Sequence, residues 1–217
     1  MKTYSLLIFD FDGTLVDTLP DIAHYANDIL SRYGYHGRPI EEVESVIGWG
    51  VHELFTGLIP ELAGRRQTLD EMVAAFKEDY TKDPVRSTKA FGGVVEMLEG
   101  PLGHVRKAIV TNKPEAMTRR ILERLDLTRH FERIIGQTEG GPLKPDPEST
   151  LAVIREAAVS PARTVFIGDS MVDRRTAKNA GIDFVWMSHG YDNSPAGLPG
   201  IHCMDSARQW SLLVEPE

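Results

Sequence analysis

One stretch decides the fold of this chain: Leu6-Leu7-Ile8-Phe9-Asp10-Phe11-Asp12-Gly13-Thr14. Its four apolar residues predict a buried strand of a parallel sheet, and two carboxylates follow where that strand ends. Ligands of open α/β sheets bind beyond the carboxyl ends of the strands. Two carboxylates buried together need a cation or a proton to offset their charge. The stretch therefore predicts a metal site with a nucleophile at Asp10.

The composition is typical of a globular protein. Of the 217 residues, 41% are hydrophobic and 26% are charged, which is enough for one or two domains with a core. The formal net charge of −8 argues against nucleic acid as a partner. No apolar run approaches the roughly 20 residues that span a bilayer, and a single cysteine, Cys203, leaves no intrachain disulfide. We expect a cytoplasmic monomer or homodimer that binds neither nucleic acid nor membrane.

The apolar runs along the chain predict a parallel sheet. Helix-like stretches separate them, as in βαβ crossovers. The five predicted strands are Ser5–Asp10, Arg106–Thr111, Arg133–Gly136, Arg163–Asp169 and Asp183–Ser188.

The gap between the first two predicted strands is too long for one crossover. About 100 residues separate Asp10 from Arg106, whereas a βαβ unit needs only a few dozen. Helical periodicity within this gap predicts an inserted helical domain over residues 15–84, with residues 1–14 and 85–217 forming the α/β core. Hinges are expected near Val16–Thr18 and Lys82–Val85.

Three more polar motifs lie at predicted strand ends or in loops. Thr111 and Asn112 precede a helix predicted to have Pro114 in its first turn, where they would bind an anion or simply cap the helix. Lys144 lies in a proline-restricted loop that would hold its ammonium near carboxylates, although most lysines are surface residues.

The fourth motif is Gly168-Asp169 with Asp173 four residues later. Asp173 alone would be explained as an acid in the first turn of a helix over residues 171–180. Four polar motifs in one order, separated by crossover-length segments, favour a shared site over four independent caps.

The four motifs D-F-D-G-T-L-V-D-T, V-T-N-K, K-P-D-P and G-D-S-M-V-D resemble those of the haloacid dehalogenase-like (HAD) superfamily of phosphotransferases. The resemblance covers nearly the whole chain. It implies a doubly wound parallel sheet, a Rossmann-like core, with an α-helical cap inserted after the first strand. It also implies Mg²⁺ as the cofactor and a small phosphorylated metabolite as the substrate.

Catalytic roles follow from this resemblance. Asp10 would form an aspartyl-phosphate, and Asp12 would be the acid for the leaving alkoxide and then the base for water. Lys144 would neutralise charge on Asp10 and the phosphoryl group. Dehalogenases of the superfamily lack an acid at the position of Asp12, which therefore favours phosphate esters.

Binding roles follow in the same way. Asp10, Asp169 and the backbone carbonyl of Asp12 would ligate Mg²⁺. Asp173 would orient Lys144 or bind a water on the metal. The phosphoryl oxygens would be held by three further residues, Gly13, Thr111 and Asn112.

Within the superfamily, the G-W-G segment at Gly48–Gly50 and the late Ser188-His189-Gly190-Tyr191 are similar to phosphoglycolate phosphatases. Trp49 departs from them, because those enzymes often have a small polar residue there. Arg65 and Arg66 would reach a substrate carboxylate from the cap, unless they are ordinary solvated arginines.

The leading hypothesis is a Mg²⁺-dependent phosphomonoesterase that acts on a 2-phosphoglycolate-like metabolite. The alternatives are a sugar phosphomutase of the β-phosphoglucomutase type, or a pyrophosphatase or nucleotidase of the same fold. A non-catalytic binding protein is a distant alternative, because it would be expected to have lost the nucleophile.

Overall fold

The protein, described by a computed structural model over residues 2–192 and 202–215, has a six-stranded parallel sheet at its centre. The strand order is β5-β4-β1-β6-β7-β8, and β2 pairs with β3 in a separate antiparallel ribbon. The strands are β1 (Leu6–Phe9), β2 (Val16–Asp17), β3 (Lys89–Ala90), β4 (Arg106–Pro114), β5 (Arg133–Gln137), β6 (Thr164–Gly168), β7 (Asp183–Met187) and β8 (His202–Met204).

Eight α-helices and four short 3-10 turns connect the strands in the described residues. The helices are α1 (Leu19–Arg32), α2 (Ile40–Glu44), α3 (Val51–Leu58), α4 (Arg66–Lys82), α5 (Val94–Glu99), α6 (Glu115–Arg124), α7 (Glu148–Ala157) and α8 (Met171–Ala180). The 3-10 turns are Pro60–Gly64, Thr128–His130, Pro161–Arg163 and Ala207–Leu213. None of the helices in the described residues has the length and apolar character needed to cross a bilayer.

Successive side chains of β1 point to opposite faces of the sheet and pack into two separate hydrophobic clusters. Leu6 and Ile8 pack with α7 and α8, whereas Leu7 and Phe9 face α5, α6 and Trp210. All four β1 side chains are at most 1% exposed because neighbouring strands and helices cover both edges and both faces. The predicted doubly wound α/β fold is confirmed, and the five predicted strands correspond to β1 and β4–β7.

Three details differ from the sequence-based expectation. Strand β4 continues to Pro114, whose extended backbone (ψ 129°) precedes α6 and is not part of its first turn. Strand β8 and the β2–β3 ribbon were not predicted. These strands have only two or three residues each, which is too short for an alternating pattern.

Helices α1 to α4 lie between β2 and β3 along the chain, where the inserted domain is predicted. The stacked rings of Tyr25 and Tyr80, 4.9 Å apart, join α1 to α4. The boundaries at residues 15 and 84 stay a prediction. The core range also includes Met1, residues 193–201 and residues 216–217, which lie outside the described part of the chain.

A buried carboxylate ties the two segments that enter and leave this helical insertion. Asp21, in the first turn of α1 and only 1% exposed, accepts hydrogen bonds from the backbone N–H groups of Arg86, Ser87 and Thr88 at 2.9–3.0 Å. The Thr88 hydroxyl donates a fourth at 2.7 Å. Together with the adjacent β2–β3 ribbon, these bonds fix the point from which the helices extend.

We expect Asp21→Ala to lower the free energy of unfolding by about 2–4 kcal/mol, because three backbone donors lose a charged acceptor. Urea denaturation measures this loss. Asp28→Ala is the matched control, since Asp28 lies on the same helix in an exposed ion pair with Arg32 and should change stability by less than about 1 kcal/mol. Equal losses in the two variants would contradict the role given to Asp21.

Candidate active site

The predicted site residues lie at the carboxyl ends of three neighbouring strands. Asp10 directly follows β1, Asp169 directly follows β6, and Thr111 and Asn112 lie in the last part of β4. The chain runs from β1 to β4 and β5 on one side of β1 and then crosses to β6 on the other side, which makes this edge the topological switch point where α/β sheets bind ligands. The structure therefore brings together three of the four motifs, the first and last of which are more than 150 residues apart along the chain.

Lys144 lies between two buried carboxylates. Its Nζ is 2.7 Å from Asp10 Oδ1 and 2.6 Å from Asp173 Oδ1, and its side chain is 3% exposed. Burial alone would lower the pKa of Lys144, but Asp10 and Asp173 outweigh burial and raise it above its usual value. Lys144 is therefore a permanent cation beside the predicted nucleophile.

Asp173 is held by the start of α8. Its Oδ2 accepts hydrogen bonds from the Ser170 hydroxyl at 2.6 Å and the Ser170 backbone N–H at 3.1 Å, and Ser170 in turn caps the helix. One carboxylate oxygen thus closes a capping box while the other contacts Lys144. This geometry fits the predicted orienting role, which stays a prediction.

Asp169 is positioned by close packing as well as hydrogen bonds. The Thr14 hydroxyl donates to Oδ1 at 2.7 Å, and the Tyr191 backbone N–H donates to Oδ2 at 2.9 Å. A methyl group at Gly13 or Gly190 would overlap with the Asp169 side chain. Small residues at these two positions therefore let Asp169 approach Asp10.

Three buried carboxylates at this edge of the sheet can share a cation. Oxygens of Asp10, Asp169 and Asp173 all lie within 4.8 Å of one another. Burial, reinforced by the charge of Asp173, raises the pKa of Asp10 from 3.8 to about 7 and raises the pKa of Asp169 well above its usual value.

These observations fit a hard divalent metal. Asp10 Oδ1 is buried, and its ion pair with Lys144 is the one polar contact that the described residues give it. One lysine cannot balance three ionised carboxylates, so the cluster requires protons or a further cation. Carboxylate oxygens are the donors that Mg²⁺ prefers.

Asp12 has a different environment from Asp10. Its side chain is 13% exposed, and its Oδ1 accepts hydrogen bonds from the Thr18 hydroxyl at 2.5 Å and from Lys113 Nζ at 3.0 Å. Asp12 nevertheless lines both cavities that Asp10 lines. Two carboxylates of unequal burial therefore face one space, an arrangement suited to separate roles as nucleophile and as proton carrier.

The carboxamide of Asn112 holds two backbone segments together. Its Nδ2 donates to the carbonyls of Gly48 and Lys144 at 2.9 and 3.0 Å, and its Oδ1 accepts from the Lys144 backbone N–H at 2.7 Å. Its side chain thus links the Lys144 loop to the loop before α3. The Thr111 hydroxyl accepts from the Lys113 backbone N–H at 3.2 Å.

The backbone N–H of Gly13 is also engaged, because it donates to the Val16 carbonyl at 3.0 Å. The side-chain donors of Asn112 and the N–H of Gly13 therefore already have protein partners. Phosphate binding by Gly13, Thr111 and Asn112 stays a prediction.

Two cavities meet at Asp10 and Asp12, separated by the loop that contains Ile47 and Gly48. The smaller, about 60 Å³, has an apolar wall that includes Ile22, Val51, Leu54, Phe76 and Met117, together with Lys113 and Lys144. The larger, about 370 Å³, is acidic and is lined by residues that include Glu44, Trp49, Asp169, Tyr191 and Asp192.

Sequence reasoning assigned no role to three residues of the site: Thr14, Lys113 and Tyr191. All three lie within motifs that carried the family resemblance, but the sequence did not indicate which residues they contact. Arg65 and Arg66 are exposed and line neither cavity.

Comparison with known proteins agrees with this geometry. The sequence model of a family described as haloacid dehalogenase-like hydrolase matches residues 7–187. The chain belongs to the haloacid dehalogenase-like hydrolases. The predicted membership is therefore confirmed.

Two relatives of this HAD hydrolase support its membership of the family, and a solved structure of another protein shares its fold. A phosphoglycolate phosphatase 1 of Pseudomonas aeruginosa is 34% identical over 87% of this chain and 71% of the relative, and a phosphoglycolate phosphatase of Psychrobacter arcticus is 33% identical over 97% and 94%. A solved HAD-like hydrolase from Streptococcus pneumoniae shares the fold, with a TM-score of 0.80, 18% identity and coverage of 93% of this chain and 94% of the other. The names of these relatives agree with the prediction of a phosphatase.

The Asn112 bridge predicts a coupled change in activity and cap position. Asn112→Ala should lower kcat roughly 10- to 100-fold, because the Lys144 loop loses its anchor. It should also expose Trp49, which follows Gly48. Acrylamide quenching reports on Trp49, since Trp49 is 40% exposed whereas Trp186 and Trp210 are 0% exposed.

Asn179→Ala is the matched control for this experiment. Asn179 donates to the Pro145 carbonyl at 2.8 Å from the solvent side and does not bond to Gly48. We expect unchanged quenching and kcat in this variant. Unchanged quenching in Asn112→Ala would show that the loop is held by other contacts.

Proposed function

We propose that this HAD hydrolase is a magnesium-dependent phosphomonoesterase of small metabolites, of the phosphoglycolate phosphatase type. The observation that carries the proposal is the pair of unequal carboxylates, Asp10 and Asp12, facing one space with Lys144 beside the first. An ester phosphate needs a nucleophile and a proton donor for its leaving alkoxide. The pair provides both.

In the first step, a carboxylate oxygen of Asp10 attacks phosphorus and the bond from phosphorus to the ester oxygen breaks. The product is an aspartyl-phosphate on Asp10, and Asp12 gives its proton to the departing alkoxide, which leaves as an alcohol. Lys144 offsets negative charge on Asp10 and on the phosphoryl oxygens throughout.

In the second step, Asp12 takes a proton from water as its oxygen attacks phosphorus. The bond between phosphorus and Asp10 breaks, which releases inorganic phosphate and restores the Asp10 carboxylate. The proton on Asp12 is then available for the next leaving group. Protons and charge balance over the cycle.

Asp10, Asp169 and the carbonyl of Asp12 would hold Mg²⁺, with Asp173 acting on Lys144 or on metal-bound water. When bound, Mg²⁺ supplies positive charge that neutralises the phosphoryl group. The support is the excess of buried carboxylates over cations described above.

The size of the apolar cavity supports a short leaving group. This cavity has a volume of about 60 Å³ beside Asp10 and Asp12, against about 370 Å³ for the acidic cavity. Glycolate is a short leaving group that suits the smaller space, whereas a hexose or a nucleoside is far larger. This favours the phosphoglycolate-type hydrolase over the mutase and nucleotidase alternatives. Cytoplasmic location and oligomeric state stay predictions.

Asp10→Asn should lower phosphate release from 2-phosphoglycolate by roughly 10⁴-fold or more in the presence of Mg²⁺, because the amide is not a nucleophile. Malachite green detection of phosphate measures this change. Circular dichroism confirms that the variant folds. Substantial turnover by folded Asp10→Asn would remove Asp10 from the proposed role.

Asp12→Asn should distinguish esters from acyl phosphates. The rate of alcohol release from 2-phosphoglycolate in a single turnover should fall roughly 10²- to 10⁴-fold. The loss with acetyl phosphate should be much smaller, because acetate leaves without a proton. Equal losses on the two substrates would exclude Asp12 as the acid.

Metal binding should stabilise the fold in a pH-dependent way. Because the raised pKa of Asp10, about 7, favours its protonated form in the folded protein, Asp10 contributes stability at low pH that is lost as the pH rises through about 7. Mg²⁺ competes with that proton. The increase in Tm on adding Mg²⁺ should therefore be larger at pH 8 than at pH 5.5, and Asp169→Asn should diminish it. Equal increases at both pH values would contradict competition at this site.

A further inference from the structure

One buried lysine of the active site has no part in the proposed steps. The Lys113 side chain is 4% exposed, its Nζ lies 3.0 Å from Asp12 Oδ1 and 4.7 Å from the centre of the Tyr80 ring, and it lines the smaller cavity. Burying an ammonium is costly unless partners offset its desolvation. Its position beside the leaving-group space requires an explanation.

The contacts of Lys113 leave donor capacity unused. An ammonium group carries three N–H donors. Among the described residues, its hydrogen bonds are accounted for by one acceptor, Asp12. The Tyr80 ring attracts the cation through its face but satisfies no donor as fully as an oxygen would.

The wall of the smaller cavity indicates which kind of group the unused N–H donors of Lys113 would bind. Apart from the site residues themselves, the wall is largely apolar, with Val51, Leu54 and Phe76 from the helical insertion and Met117 from α6. Such a wall cannot solvate an anion. Lys144 is already shared between Asp10 and Asp173, so Lys113 is the cation that the described lining of this cavity offers to a second negative group of the substrate.

The larger cavity offers no such partner. Its described lining includes Glu44, Asp169 and Asp192 and contains no lysine or arginine. An anionic leaving group would be repelled there. Arg65 lies in a different surface cavity together with Tyr35 and Glu61, and thus does not replace Lys113.

We propose that Lys113 binds the carboxylate of the leaving group, so that the site selects phosphate monoesters of short hydroxy acids over neutral esters of the same size. This rests on the proposed phosphomonoesterase function. Lys113 then bridges the substrate carboxylate and Asp12, which places the ester oxygen near the acid that protonates it.

The test compares two substrates of equal size that differ in one charge. They are 2-phosphoglycolate and the phosphate monoester of glycolamide, in which a neutral carboxamide replaces the carboxylate. For the wild-type protein with Mg²⁺, kcat/KM should be roughly 10- to 100-fold higher for the acid. In Lys113→Met this ratio should fall to about one or below, because the buried carboxylate loses its cation.

Thr18→Val is the matched control. Thr18 also donates to Asp12 Oδ1, so its loss disturbs Asp12 without removing a cation. The Thr18→Val variant should lose activity on both substrates with the ratio retained. A lysine that served only to hold Asp12 would make Lys113→Met behave in the same way.

The outcomes separate the two proposals. A wild-type ratio near one, or a ratio retained in folded Lys113→Met, overturns the role of Lys113 while phosphatase activity stands. A wild-type ratio near one overturns the role of Lys113 even where Lys113→Met does not fold. No Mg²⁺-dependent phosphate release from either ester would overturn the proposed function, and with it this inference.

Discussion

The site depends on one interaction, the ammonium of Lys144 held between Asp10 and Asp173. Each of these side chains is less than 10% exposed, so the cluster would be strongly unfavourable without mutual charge compensation. The sheet brings Asp10 to it from β1, the start of α8 brings Asp173, and Asn112 at the end of β4 anchors the Lys144 loop. The strands, helix and loop around the switch point therefore together hold the Lys144 ammonium between two carboxylates.

The same anchor connects this charge cluster to the helical insertion. Asn112 bonds to Lys144 and to the Gly48 carbonyl, so the loop that separates the two cavities is attached to the loop that contains Lys144. At the other end of the insertion, Asp21 fixes the returning segment to α1. The inserted helices are therefore joined to the core at Asp21 and again at Asn112, close to Asp10, the proposed nucleophile.

Sequence alone predicted the parts of the site that are local. Asp10 and Asp169 follow apolar strands, so their position at one edge of the sheet follows from strand periodicity and parallel pairing. The bridge from Asn112 to Gly48 spans 64 residues and that from Lys113 to Asp12 spans 101. No local pattern encodes such contacts, because the first depends on how the inserted helices pack on the core and the second on the pairing of β1 with β4. The two-residue strands β2 and β3 were missed for a related reason, since their pairing is set by the segments that they join.

Asp10 and Asp12 are two positions apart in the sequence but lie in different chemical environments. Asp10 follows β1 where the two cavities meet, and burial and Asp173 raise its pKa. Its ionised form therefore depends on nearby cations. Asp12 lies past the end of the strand, and the Gly13 turn that follows leads its chain to Thr18, whose hydroxyl contacts it. The acidic cavity lies on the side of Asp169, and the apolar cavity with Lys113 lies on the other. Because cations and apolar wall are on one side and carboxylates on the other, the ester substrate that we propose has one favourable orientation, with its phosphoryl group at Asp10 and its ester oxygen toward Asp12.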